Sequence, residues 1–307
     1  MAIEDPSWPR ADRWLARGHP EPDVLVVGVP TSSASLTPSA AAAAPAAVRS
    51  ALSRFSTFHG EWDIDLDPVR IADRGDLAVD HLDMWAMPAA VEAAVGPEPA
   101  ALALYLGGDN AITRPLVRAT GGGDLSRIGL LTFDAHHDVR TLDRGPTNAT
   151  HVRGLIEEDG LPGAHVSQIG IHSFANSLPY RRWCEDAGIT IHTMSDVETW
   201  GIDDVVAVAL DELERRCEHI YVDVDLDVLD SAVAPGCPGA RPGGMGVRQL
   251  ALAVRRCGAR RAVTAIDFVE VDPARDPAGV TVDAYATALL SAVAGFSERN
   301  RGSPPAP

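Results

Sequence analysis

Residues 128–138 read IGLLTFDAHHD. The first six are apolar or small, with no alternation of apolar and polar positions. That is the pattern of a strand covered on both faces, as in a parallel sheet. The next five turn abruptly polar: Asp134, Ala135, His136, His137 and Asp138. In an open α/β sheet, ligands bind beyond the carboxyl ends of the strands. The stretch therefore reads as one buried strand delivering a cluster of metal-ligating groups to a functional edge.

The same pattern recurs along the chain. Runs at 24–30, 101–106, 166–171, 219–224 and 261–268 are rich in Val, Ile or Leu and bounded by Gly, Pro or Asp. Segments at 88–95, 205–217 and 247–257 carry helical periodicity between them. Alternating strand and helix predicts a single-domain, three-layer α/β/α fold with a mainly parallel sheet. The alanine-rich stretch at 39–47 predicts a helix from Pro45 to Arg54, proline suiting a first turn. No internal repeat or linker divides the chain, so residues 1–296 read as one catalytic domain. Residues 297–307, polar with three prolines, read as a disordered tail.

Composition narrows the function. The net charge of −17 argues against nucleic acid or an anionic membrane as the partner. Apart from histidine, every basic residue is arginine, so a Schiff-base or phosphate-loop lysine is excluded. The four cysteines form no CxxC pair and the N-terminus lacks the pattern of a signal peptide, which predicts a reduced, cytoplasmic protein. No apolar run reaches the length of about 20 residues that a membrane helix needs.

Four predicted strands end in acidic groups. GGDN follows the second strand (107–110), DAHHD the third (134–138), DLDVLD the fifth (225–230) and DFVE closes the sixth (267–270). So many converging carboxylates repel one another unless cations neutralise them. Mostly carboxylate ligation with some imidazole suits a hard or borderline ion such as Mn²⁺. Bridging carboxylates can hold two ions about 3.5–4 Å apart, the arrangement of two-metal hydrolases. One DxD alone is more often a turn or cap; DAHHD and DVDLD together, each ending a strand, are far more specific.

These motifs, with DLDVLDSAVAPGCPGARPGG (225–244) and DFVEVDP (267–273), resemble the ureohydrolase family of arginase, agmatinase, guanidinobutyrase and formimidoylglutamase. The resemblance implies that Asp134 and Asp225 bridge two metals, that His136 and Asp227 complete one shell, and that Asp138 belongs to the other. It implies that Glu270 holds the cationic amidine of the substrate. His151, thirteen residues past Asp138, stands where arginase-like members place a proton-shuttling histidine, and an ordinary histidine pKa suits that work. Asp227 is the other candidate for proton transfer. A homo-oligomer, trimer or hexamer, is implied by the resemblance alone, as is a role in histidine catabolism for the formimidoylglutamase branch.

Three departures sharpen the reading. GGDN replaces the usual GGDH, so Asn110 stands where a histidine binds the metal shared with Asp138. A neutral amide oxygen is a weaker donor than imidazole to many metals, which predicts one tight and one looser ion. Arg241 replaces an acidic residue of agmatinases. Arg140 stands where arginase has an asparagine near the substrate carboxylate, and the DAHHDVR stretch resembles the DAHxDxR of formimidoylglutamases. Arginine forks bind carboxylates well, although any single arginine is most often a surface ion-pair partner. Arg140 and Arg241, with Arg153 and Asn148 nearby in sequence, predict an anionic substrate tail. The reading is hydrolysis of a linear amidine C–N bond, foremost N-formimidoyl-L-glutamate to L-glutamate and formamide. A guanidino hydrolase releasing urea is the enzymatic alternative, and a metal-poor, noncatalytic binding subunit the other.

Overall fold

The computed structural model describes residues 5, 7–96 and 100–299. Eight strands form one sheet: β1 (Val24–Val29), β4 (Ile71–Asp76), β5 (Leu102–Gly107), β6 (Ile128–Phe133), β7 (Val166–Ile171), β8 (Thr190–Thr193), β9 (His219–Asp225) and β10 (Val263–Val269). Between β1 and β4 lies a two-residue hairpin pair, β2 (Phe58–His59) and β3 (Ile64–Asp65). The sheet order is β4-β1-β5-β10-β9-β6-β7-β8, with every pairing parallel. The four strands whose ends carry acidic groups, β5, β10, β9 and β6, are therefore consecutive neighbours. Parallel pairing brings all four carboxyl ends to the same edge.

Alternation along each strand builds two cores. Val24, Val26, Leu104, Leu131, Phe133, Val222 and Ile266 face one layer, containing α2 (Ala44–Ala51), α7 (Met194–Trp200), α8 (Ile202–Glu214), α9 (Val247–Ala259) and α10 (Val280–Glu298). Leu25, Val27, Ala103, Tyr105, Leu130, Tyr221 and Ala265 face the other, containing α3 (Met87–Ala94), α4 (Thr113–Gly121), α5 (His151–Glu157) and α6 (Leu178–Ala187). The short α1 (Ala11–Arg17) buries Trp14 and Leu15 in the first core. This is the three-layer α/β/α fold that the strand pattern predicts.

Three features depart from the sequence reading. β4 and β8 are edge strands, half-buried and polar, so neither forms a continuous apolar run. β4 is tied down by charge instead: Arg49 of α2 pairs with Asp73 at 2.6 Å and also reaches Asp76. α10 is the second. It is long and apolar enough to cross a membrane, but its apolar window is 72% buried, making it a core helix packed on α9. It also runs through Ser297 and Glu298, which the sequence assigned to the tail; 300–307 lie outside the described residues. Third, the helix expected at 45–54 forms as α2 flanked by single 3₁₀ turns.

Candidate metal centre

The spacing of the acidic motifs has a local cause. Asp134 accepts the backbone N–H of His136 at 2.5 Å, and Asp225 accepts that of Asp227 at 2.8 Å. Each carboxylate bonds two residues ahead, in the turn that Asp readily makes, and its other oxygen is left for the site. The N–H of Ala135 donates to Asp227 at 3.2 Å, stitching the ends of β6 and β9 together. Gly239 passes so close that a Cβ there would lie 1.9 Å from Asp227. This close approach requires glycine.

Five side chains then form two overlapping sets of possible ligands: Asp134, His136 and Asp227 in one, and Asp134, Asp138 and Asp225 in the other. Asp138 takes a left-handed backbone, φ 51°, to reach its place, a conformation uncommon outside glycine and Asn/Asp.

The electrostatics suit cations. Burial, then repulsion from neighbouring carboxylates, raises the pKa of Asp134 and of Asp225 well above the ordinary range. Burial raises Asp138 too. Asp227 pulls the His136 imidazole up to about 12, with Nδ1 3.0 Å from its carboxylate. For Asp227, burial opposes ionisation, but attraction to His136 outweighs it and lowers the pKa. Protons here occupy positions where divalent ions would satisfy the same oxygens and the same nitrogen. The donor set therefore fits a pair of divalent metals.

Asn110 is fully buried beside this cluster, with its side chain 3.2 Å from Asp225 and 2.7 Å from Thr113. Asp109 does not face the metals. It accepts the N–H groups of Ala34 and Ala111 and the Thr31 hydroxyl, holding the loop after β1 against β5. Gly108 lets the two backbones meet, since a Cβ would lie 1.9 Å from the Thr31 carbonyl. His137 turns away as well: its Nδ1 lies 2.6 Å from Gln168, and its N–H donates to Asn176.

A cavity of about 700 Å³ opens over the cluster, lined by His136, Asp138, Asp225, Asp227 and Glu270 at its floor and by Arg140, Asn148 and Arg241. Glu270 is 6% exposed and holds φ 65°; its Oε1 accepts the Asn110 N–H at 2.8 Å and the Asn148 amide at 2.9 Å. Burial, then Asp109, pushes its pKa up to about 8. Arg140 is exposed and makes no ion pair among the described residues. Arg241 is exposed and donates to the carbonyls of Gly239 and Ala240 from its own loop. Leu36, Phe174, Asn176 and Tyr180 also line the cavity. They lie on loops and a helix start without metal-type chemistry, so no motif marked them. The nearest signal was Asn176, whose amide supports the Ala135 carbonyl.

Two of the residues singled out in the sequence lie off the cavity lining. Arg153 does not line the cavity. Its guanidinium lies 4.5 Å from the Trp183 ring centroid and 3.5 Å from Glu157, packing α5 against α6. His151 does not line it either. Only 1% exposed, it sits beneath the ligand layer, with Nδ1 3.6 Å from Asp138 and Nε2 3.3 Å from Asp223. Burial lowers its pKa. The same Nδ1 lies 3.3 Å from the Asn148 carbonyl, so the ring packs behind Asp138 and Asn148 rather than on the cavity surface.

An all-parallel α/β sheet that gathers two overlapping sets of possible metal ligands, one with an imidazole, at its carboxyl edge defines the class: an α/β protein whose strand-end cluster fits divalent metal and the hydrolase type. The arginase family matches residues 22–295, and the chain belongs to that family. It is 38% identical to formimidoylglutamase of Halalkalibacterium halodurans over 275 residues, 88% of this chain and 86% of that protein. The crystal structure of formimidoylglutamase from Bacillus subtilis superposes with a TM-score of 0.89 at 32% identity, covering 96% of this chain and 94% of that one. Trypanosoma cruzi formiminoglutamase, solved with Mn²⁺, shares the fold at 21% identity, with a TM-score of 0.85 and coverage of 95% and 99%.

Proposed function

We propose that the protein hydrolyses N-formimidoyl-L-glutamate to L-glutamate and formamide, with Mn²⁺ held by Asp134, His136, Asp138, Asp225, Asp227 and Asn110. The observation that carries the substrate assignment is the polarity of the cavity: a buried acidic floor below, and two exposed arginines, Arg140 and Arg241, on its wall. The substrate has the same polarity, a cationic formimidoyl group at one end and two carboxylates at the other. Agmatine, cationic at both ends, would meet the arginines with like charge. The names of the relatives support the same assignment.

When bound, the metal pair supplies the Lewis acidity that makes water nucleophilic at neutral pH. The chain's own residues bind and orient the substrate. Glu270, fixed through Oε1 by Asn110 and Asn148, keeps Oε2 for the amidinium N–H and holds the reacting carbon over the floor. Asn148 also accepts the Leu36 N–H at 3.1 Å, so the cavity wall and Glu270 are set together. Asp227, at the cavity floor, accepts the proton released by the attacking water. Water adds to the amidine carbon, its bond to the glutamate nitrogen breaks, and that nitrogen leaves protonated as the amine; the carbon departs as formamide.

The same reading places the protein in histidine catabolism, in the cytoplasm and in a homo-oligomer, a trimer or hexamer, with a small anionic amidine and neither nucleic acid nor membrane as its partner. A guanidino hydrolase acting on a carboxylate-tailed guanidine is the second reading, because the wall arginines fit that tail equally well. A noncatalytic subunit has only Asn110 in its favour, whereas both ligand sets and Glu270 are assembled. The test is a panel of formimidoylglutamate, 4-guanidinobutanoate and agmatine assayed with Mn²⁺. The expected order of kcat/KM is as written. Agmatine in first place, or no turnover of any, refutes the proposal.

A further inference from the structure

Phe174 lies on the loop between β7 and α6 and lines the cavity. The base of that loop is fixed to the turn that carries the ligands. The N–H of His172 donates to the Ala135 carbonyl at 3.1 Å. The Asn176 amide donates to the same carbonyl at 2.9 Å and accepts the His137 N–H at 2.9 Å. His172 Nε2 also lies 3.1 Å from the Val228 carbonyl. Between these anchors, the backbone of Phe174 makes no hydrogen bond among the described residues.

Two costs meet at this residue. Phe174 takes φ 61°, the left-handed region that residues other than Gly, Asn and Asp seldom enter. Its phenyl ring is fully exposed, leaving a large apolar surface in water. Other apolar groups at the cavity are better covered: the Tyr180 ring packs on the core, and Leu36 is 47% exposed. One exposed apolar side chain is ordinary on a protein surface. One that also sits in left-handed backbone beside the candidate metal centre is not. No contact within the chain offsets either cost, which points to a contact made when the cavity is filled.

The substrate offers that contact. Formimidoylglutamate is charged at both ends and apolar between them. Glu270 and the wall arginines answer the charged ends. A cavity of about 700 Å³ is far larger than an amino-acid-sized substrate, whereas a bound ligand ordinarily has most of its surface covered. We propose that Phe174 is a specificity-determining residue. With the loop base fixed, rotation about its side-chain bonds lays the ring over the methylene stem of the substrate. The ring makes the same contact before and during reaction, so it acts on KM and leaves kcat alone. The inference rests on the reading of the cavity as a formimidoylglutamate site.

The test is steady-state kinetics of Mn²⁺-loaded Phe174→Ala and Phe174→Leu on formimidoylglutamate, beside wild type, with sedimentation at the assay concentration. Phe174→Ala should raise KM about tenfold and change kcat less than about twofold, whereas Phe174→Leu, which keeps an apolar cover, should raise KM by about threefold or less. Both variants should unfold within about two degrees of wild type, because the ring packs on nothing within the chain. A Phe174→Ala KM within twofold of wild type overturns the proposal, as does a loss confined to kcat or an equal loss in Phe174→Leu. A Phe174→Ala protein that sediments as smaller species than wild type also overturns it, since the ring then seats against a second copy of the chain. A wild type that does not turn over formimidoylglutamate overturns the proposed function, and the role of Phe174 with it; an active wild type with unchanged variants overturns the role of Phe174 alone.

Discussion

Glu270→Gln separates charge from shape at the centre of the proposed site. Oε1 of Glu270 already accepts two N–H groups, from Asn110 at 2.8 Å and from Asn148 at 2.9 Å. A glutamine must keep its oxygen at that end, because its NH₂ cannot accept. The NH₂ is then forced into the place of Oε2, facing the cavity. The substitution therefore removes the negative charge that Glu270 carries against a bound amidinium and also presents a donor to the N–H groups of that cation. Losing one partner of a buried, charge-assisted pair costs about 2–5 kcal/mol. At about 1.4 kcal/mol per decade, kcat/KM should fall roughly 30-fold to several thousandfold. Folding should not suffer, since Glu270 is held among like charges and its acid is already pushed up to about 8. The assay is formamide release from formimidoylglutamate by Mn²⁺-loaded protein, with thermal unfolding as the control for structure. A kcat/KM within threefold of wild type, in a variant that unfolds at the same temperature, refutes the assignment of Glu270 to the amidine.

Arg140→Leu and Arg241→Leu should each raise KM for formimidoylglutamate about tenfold or more while lowering agmatine's disadvantage; equal effects on both substrates in steady-state assays would contradict the carboxylate role. Arg153→Met should leave KM unchanged and lower the unfolding temperature by several degrees, because a cation over Trp183 contributes about 0.5–2 kcal/mol; a raised KM would return Arg153 to the site. Chelated protein should lose stability as pH rises. Glu270 and Asp223, both raised to about 8 chiefly by burial, bind protons in the folded state that the unfolded chain has released above about pH 4. That stabilisation is complete near pH 4 and lost as pH rises through 8. Melting curves from pH 5.5 to 8.5 should decline in chelator and hold level with Mn²⁺; parallel curves would contradict it.

The layers and the ligand set were legible because both follow from local pattern. Buried parallel strands leave unbroken apolar runs, and strand-end carboxylates stand out where β6 and β9 stop. What the sequence concealed depends on three-dimensional depth. His151 and Arg153 lie close to Asp138 in sequence, yet α5 carries them under the ligand layer and away from the cavity. Distance along the chain cannot separate above from below. The edge strands β4 and β8 were missed because their polar positions, such as Asp73 and Asp76 held by Arg49, break the apolar run.

The most direct test of the account is a crystal structure of the Mn²⁺-soaked protein with anomalous scattering at the manganese edge. The account predicts two peaks about 3.5–4 Å apart, both touching Asp134 and Asp225, one also held by His136 and Asp227 and the other by Asp138 and Asn110, with lower occupancy at the second. No peak in the cavity floor under saturating Mn²⁺, or a single ion held by other residues, would contradict it.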